Sequence, residues 1–375
     1  MVQPKHCPVE AMKISEIHVA HFDIPLPVVL SDSTHGDIHT FGLVTVTIRD
    51  DAGGEGVGYT YTVGSHGADA IRSVIANDMV PMLMGQDPRR VEHLWERLWW
   101  GMHFVGRGGL VAFAQAAVDV ALWDAAGKRQ QEPLWRLLGG HDQKVRAYAG
   151  GIDLQFTTDA LLEQARGFLA DGFGAIKMKA GRDRLSEDVE RVAAMRAFLG
   201  ADFPLLVDAN MRWSVSEAER AAHALREFGL IWLEEPIIPD DVAGHARVAA
   251  AGVPIATGEN LHTVYEFRTM IEHGAIAWPE PDLATLGGIT PWMKVARLAE
   301  AANLPVTSHG VHDLHVHLLS AVPNGDFLEV HGFGLERFIR EPLELREGIA
   351  TAPDRPGHGV AFDWDALAAH RVEAN

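Results

Sequence analysis

The sequence predicts an α/β protein: a TIM-type (β/α) barrel of eight parallel strands, preceded by an N-terminal α+β capping domain. Three observations predict it. The short apolar runs PLLV, LIWL and PIATG each end on an acid, at Asp208, Glu234 and Glu259. These acids stand about 25 residues apart, the length of one strand, one helix and two loops. The runs show no polar alternation, as expected of strands buried on both faces of a parallel sheet.

Taken in order, residues 1–11 contain Pro4 and Pro8 and little apolar character, and are expected to form a loose tail ahead of Met12. Segment 12–58 reads as strands, with a turn at DDAGG. Within it, the polar stretch 30–40 is expected to be a loop or lid. From Gly67 to Gly140 the pattern is helical, with a long alanine-rich helix expected to close at Gly127. Strands first and helices afterwards make 12–140 an α+β domain. Strand-like runs then recur at 145–151, 174–181, 204–210, 230–236, 254–260, 275–283, 305–310 and 327–330. Eight copies of strand and helix favour a closed barrel over a solenoid. The barrel is assigned 141–339, and 340–375 is expected to pack back on the capping domain.

Composition narrows the function. A net charge of −19 without a basic patch argues against nucleic-acid binding. Cys7 is the one cysteine, so no internal disulfide forms. No run of 18 or more apolar residues occurs and the N-terminus carries no signal-peptide core, so the expectation is a cytoplasmic enzyme without a membrane partner. A homo-oligomer is also expected.

The chemistry lies at the strand ends. All strands of a parallel barrel point one way, and their carboxyl ends form the face that carries active sites. An acid after a strand is often only a helix cap, but three at constant period converge. Converging carboxylates repel unless a cation lies between them, and an all-oxygen set suits Mg²⁺, with Mn²⁺ as an alternative. Lys177 and Lys179 are two apart on one strand and so share a face. Asp282, His309 and Glu329 end the last three strands. His312, His315 and His317 follow His309 closely; with carboxylates to hold the metal, they are assigned to the next helix rather than to a zinc site. Glu235 is read as support for Glu234 or as a helix cap.

The K-x-K at 177–179, DAN at 208–210, EEP at 234–236, GEN at 258–260, PD with GGIT at 281–290, and SHG at 308–310 resemble, in order and spacing, the enolase superfamily and its mandelate racemase subgroup. AVDVALWDAAGK and LLGG resemble that family's N-terminal domain, so the likeness runs from about residue 12 onward. Relatives of the muconate cycloisomerase and dipeptide epimerase kinds carry a lysine where Asp282 stands. The resemblance therefore implies a His309–Asp282 pair opposite Lys179 as the acid–base groups. It also implies that Glu329 is a protonated acid bonding the developing enediolate. Lys177 and the metal are expected to lower the pKa of Lys179. A lysine or histidine base beside Mg²⁺ is the solution that superfamily uses to form and stabilise an enediolate.

The expected reaction is Mg²⁺-dependent dehydration of an acid sugar, aldonate or aldarate: abstraction of the proton α to the carboxylate, then loss of the β-hydroxyl to give a 2-keto-3-deoxy acid, as in galactarate/talarate-type dehydratases. The alternative is a racemase or epimerase of a 2-hydroxy acid. A non-catalytic binding protein would require a lost ligand or base, and none is lost. The segments 30–40 and 59–67 offer Ser31, His35, His39, Tyr61 and His66 for substrate hydroxyls and contain no lysine or arginine. Asn210 is a further substrate-binding candidate, and Arg212 is the nearest cation for the far end of a dicarboxylate.

Overall fold

The computed structural model describes residues 12–373; the expected tail at 1–11, with Cys7, lies outside the described residues. An antiparallel sheet comes first: β1 (Ile14–Asp32), β2 (Gly36–Asp50) and β3 (Glu55–Val63), in that order across the sheet. The stretch expected as a loop at 30–40 is mostly strand. Leu30, Ser31 and Asp32 pair with Ile38, Asp37 and Gly36, and only residues 33–35 turn. Sequence reading missed this because the pairing resumes only after an irregularity between Pro25 and Leu30, and polar residues at a hairpin end look like a loop.

The long helix Leu110–Gln130 packs against β3. It runs past Gly127 and ends where Gln131 takes the left-handed conformation. By length and composition it could cross a membrane, but 83% of its apolar window is buried in the protein. The approach of β3 is close: a Cβ on Gly58 would lie 2.1 Å from the Ala117 carbonyl oxygen, and one on Gly56 2.0 Å from that of Ala121. Only glycine permits this spacing.

The parallel sheet runs β4 (Lys144–Gly150), β5 (Ile176–Lys179), β6 (Leu205–Asp208), β7 (Leu233–Glu234), β8 (Ile255–Thr257) and β9 (Trp278–Pro279), while β10 (Leu328–His331) pairs with β4. The seventh position holds no regular strand. There the chain is extended, with a single bridge from Val306 to Gly325 and a bond from the Thr307 N–H to the Pro279 carbonyl. Helices on the outer face bury amphipathic stripes; the helix Val215–Leu225 places Ala218, Ala221, Ala222 and Leu225 inward behind a Ser214–Glu217 capping box.

The last segment touches both parts. β11 (Glu344–Arg346) and β12 (Ile349–Thr351) form a hairpin, and β12 pairs antiparallel with β4. Beyond it, Arg371 bridges to Phe22 of β1.

Candidate active site

Parallel register brings the first charged groups together. Lys179 is paired with Asp208 across β5 and β6, and Asp208 with Glu234 across β6 and β7. Asp208 and Glu234 are fully buried, and Lys177 is 1% exposed. The Lys177 ammonium lies 2.8 Å from Glu234, 2.7 Å from Glu329 and 3.8 Å from Asp208. Lys179 bonds Asp208. The indole N–H of Trp232 donates to the second oxygen of Glu234 at 3.1 Å.

The remaining groups lie past the strand ends. Glu259 follows β8 by two residues and sits 2.7 Å from Nε2 of His309. Nδ1 of His309 faces Asp282 at 3.1 Å. The other oxygen of Asp282 accepts the Ala284 N–H at 2.8 Å, so the carboxylate also caps a short helical turn. Gly310 is left-handed, and a Cβ there would meet Asp282 at 2.3 Å and the Tyr61 hydroxyl at 2.6 Å.

Burial and neighbouring charge set the ionisation. Burial and Asp208 push Glu234 up to about 7, against the pull of Lys177. For Glu259, burial is outweighed by His309, which holds it at about 2. His309 is raised well above its ordinary value: burial opposes, and Glu259, Glu329 and Asp282 prevail. The two remaining groups depend on their immediate neighbours. Without a cation Lys179 is raised: burial and Lys177 lower it, the latter as expected, but the Asp208 carboxylate beside it outweighs them, a pull that a cation held by Asp208 would cancel. Glu329 is not held protonated by burial; Lys177 and His309 keep it well below the usual carboxylate range, and it accepts the Gly310 N–H at 3.0 Å.

The substrate-binding candidates divide. His35 lies at the hairpin tip, bonded to Asp32 at 2.8 Å, and feels the charges of Glu259 and Lys179. The tip itself is docked on the barrel, with the Ser33 hydroxyl 2.7 Å from the Ala209 carbonyl and the Thr34 hydroxyl donating to that of Asn210. His39 is exposed, next to inward-facing Ile38 on β2, and is not gathered into the cluster. Arg212 is engaged elsewhere, at the rim: it donates to the Gly181 carbonyl at 3.1 Å and pairs with Asp183 at 3.2 Å. Its neighbours in sequence suggested the pocket, but the left-handed turn at Asn210 and Met211 redirects the chain.

Asn210 stays inside, 3% exposed, its N–H donating to Asp208 and its side-chain oxygen buried without a partner among the described residues. Glu235 supports rather than caps: both its oxygens accept from the Asn260 amide at 3.0 Å, and the same amide bonds Glu259 at 3.2 Å. Positive φ at Asn210, Met211 and Glu235 concentrates backbone strain beside the acids.

Three further residues stand at the site. Tyr61, expected to meet substrate hydroxyls, is instead buried on β3 and donates to Asp282 at 2.8 Å. Glu280, fully buried, accepts from Tyr148 at 3.1 Å, and burial with Glu234 raises it well above the carboxylate range. His331, two residues beyond Glu329, lies with its ring 6.4 Å from that of His309. An alternation count along β10 could have found His331; nothing local marks the other two. His312, His315 and His317 lie on the helix His312–Ala321, as expected; among the described residues no three His, Cys, Asp or Glu side chains are already drawn together around one point, the lysines and His309 standing between the carboxylates.

The residues fit a divalent cation. Asp208, Glu234, Glu259, Asp282 and Glu329 crowd five carboxyl groups against Lys177, Lys179 and His309, and the upward push of burial and Asp208 on Glu234 marks a place short of positive charge. The donors are all oxygen, and the buried Asn210 oxygen is unspent.

Comparison with known proteins agrees with this geometry. Residues 160–366 match the family model "Enolase C-terminal domain-like". Residues 14–139 match "Mandelate racemase / muconate lactonizing enzyme, N-terminal domain". A 3,6-anhydro-alpha-L-galactonate cycloisomerase from Streptomyces coelicolor is 51% identical over 94% of this chain and 98% of its own. An L-talarate/galactarate dehydratase from Salmonella typhimurium is 37% identical over 85% of this chain and 80% of its own. Among solved structures, a racemase from Streptomyces coelicolor A3(2) with bound magnesium superposes with a TM-score of 0.93 at 49% identity, covering 96% of this chain and 100% of that one. With both domains matched and the strand-end groups in place, the chain belongs to the mandelate racemase subgroup of the enolase superfamily.

Proposed function

We propose that the chain is a Mg²⁺-dependent enzyme that eliminates an oxygen β to the carboxylate of a sugar acid. We further propose that the leaving oxygen is the ring ether of a 3,6-anhydro monocarboxylate, so that the ring opens without loss of water. The observation that carries the elimination is the placement of Lys179 at the Asp208 end of the acid row and His309 at the Glu259 end. Asp208, Glu234 and Glu259 would hold the cation, which when bound neutralises the substrate carboxylate and stabilises the enediolate.

One member of the pair removes the α-proton from C2, and the C2–H electrons form the C2–C3 double bond as the C3–O bond breaks. The other member protonates the departing oxygen, an oxygen that leaves poorly unassisted. The enol then takes a proton at C3, gives up the proton of its 2-hydroxyl and becomes a 2-keto-3-deoxy acid. Asp282 holds the His309 ring by Nδ1, leaving Nε2 toward the acids. Lys177 and Glu329, 2.7 Å apart, line the floor where charge develops.

Two observations support ring opening over dehydration. The cycloisomerase relative shares half of its residues with this chain over nearly the full length. Arg212, the expected grip for the second carboxylate of an aldarate, is directed to Asp183 and Gly181 at the rim rather than to the acid row. Dehydration of an aldonate is the second reading, favoured by the shared residues and the dehydratase relative; it differs only in that hydroxide leaves from C3.

The test is incubation with Mg²⁺ and 3,6-anhydro-L-galactonate, beside a library of aldonates and aldarates, with semicarbazide detection and mass spectrometry. The expected product has the mass of the substrate and, in D₂O, one deuterium at C3. A product lighter by one water from a linear acid, with none from the anhydro acid, makes the enzyme a dehydratase. Inversion at C2 alone makes it a racemase.

A further inference from the structure

The buried histidines around the barrel mouth differ in how they are satisfied. His315 accepts the Leu283 N–H at 3.0 Å on Nε2 and bonds the Val311 carbonyl at 3.1 Å through Nδ1. His317 accepts the Trp135 N–H and donates to the His358 carbonyl. His358 donates to the Val57 carbonyl and accepts the Val360 N–H. In each, one nitrogen gives and the other takes, which fixes a neutral tautomer.

His331 lacks such partners: both its ring nitrogens are shielded from solvent and bond nothing among the described residues. Its place is not accidental. Glu329 and His331 share one face of β10, and Glu329 meets Lys177 in the acid cluster. The His331 ring lies 6.4 Å from His309 and 6.2 Å from His312. Phe333 packs on it at 3.9 Å and continues to Phe41 and Tyr61 of the capping sheet, each at 5.8 Å. The result is one donor and one acceptor set into an aromatic wall beside the reacting groups. The ring is partly exposed but its nitrogens are not; leaving both shielded and unpaired is costly, and a sugar hydroxyl, itself both donor and acceptor, complements them once the ring turns toward it.

We propose that His331 is a specificity-determining residue that binds a hydroxyl of the sugar acid, with Phe333 supplying the apolar surface against which the sugar's carbon face lies. The inference rests on the sugar-acid reading above and deepens it.

The experiment uses the Mg²⁺-loaded full chain and the variants His331→Leu and His331→Asn. Calorimetric Kd values and, where turnover occurs, kcat and KM are measured for 3,6-anhydro-L-galactonate, for linear aldonates, and for analogues lacking single hydroxyls. His331→Leu should weaken the hydroxylated acid about tenfold or more and one deoxy analogue far less. His331→Asn keeps a donor and an acceptor and should recover part of the loss. Because the leucine variant removes buried unpaired nitrogens, its Tm without substrate should be equal to or above that of the parent; a merely structural histidine would lower it. Equal weakening toward every analogue, or none, overturns the proposal. If the parent binds these acids but does not convert them, the elimination reading fails while His331 is still decided by the binding ratios. If the parent binds no sugar acid, both fall.

Discussion

The two halves of the site are held in different ways. Lys177, Lys179, Asp208 and Glu234 come from β5, β6 and β7, three neighbouring strands in regular register, and their charged groups bond to other barrel residues. The capping hairpin meets this half along the backbone, where Ser33 and Thr34 bond the carbonyls of Ala209 and Asn210 and Ser31 bridges to Asp153 beyond β4, and it touches none of these four charged side chains with a hydrogen bond among the described residues. Glu259, Asp282 and His309 come from turns and from a stretch with no regular strand, and Tyr61 of the capping sheet bonds Asp282. Where the ladder is regular, register alone sets the spacing of the charges. Where it lapses, a second domain supplies the missing restraint.

That contrast can be broken most severely at the acids shared by both halves. Chelation should abolish turnover, and Mg²⁺ should restore it; full activity of metal-free protein in excess EDTA would falsify the carboxylate assignment. Next in size are the two bases. Lys179→Ala and His309→Asn should each lower kcat by about 10³-fold, while one of them still exchanges the substrate's α-proton with D₂O. Normal turnover in both would remove them as the acid–base pair.

A smaller effect separates the halves directly. Tyr61→Phe removes one bond to Asp282, so kcat should fall roughly tenfold with KM little changed. Isotope exchange dependent on Lys179 should persist. A loss that instead appears in KM alone would place Tyr61 on the substrate, not behind His309.

The smallest effect concerns the hairpin tip. His35 is raised above its ordinary value of 6.5 chiefly by its bond to Asp32. Its stabilisation is therefore complete below about 6.5 and is lost as pH rises through the raised value. Asp32 is opposed by burial yet lowered by His35, so its share is lost only as pH falls through its own depressed value. Limited proteolysis at 33–35 should accelerate as pH rises above neutrality, and His35→Gln should flatten that dependence. An unchanged slope in the variant would free the tip from this pair.

The same contrast decides what could be read from the sequence. The three metal-binding candidates were legible because each closes an apolar run at a fixed interval, and period converts directly into position around a barrel; the lysine pair was legible from its two-residue spacing on one strand, and the His309–Asp282 pairing from the family resemblance. The fold class followed from the same runs. Tyr61 was not legible, because its bond to Asp282 joins residues 221 apart in sequence, and no local pattern encodes a contact between domains. Arg212 misled for a related reason. Closeness to Asp208 in sequence was taken for closeness in space, and two left-handed residues intervene. The ionisation of Glu329 could not be read from the resemblance, because it depends on Lys177, which stands 2.7 Å away.

The contact between β3 and the helix Leu110–Gln130 has a consequence for how such an enzyme can change. Gly56 and Gly58 let the strand rest on the helix backbone with no side chain between them, and Tyr61 is carried three residues farther along the same strand. The height of that strand above the helix is thus a mechanical setting for the reach of Tyr61 toward Asp282. A single methyl added at Gly58 would shim the sheet away from its seat and withdraw the hydroxyl without touching any charged group. Substitutions that retune the His309 half can therefore arise in a part of the chain that never meets the substrate, while the hairpin tip and the wall at Phe333 remain free to vary with the sugar.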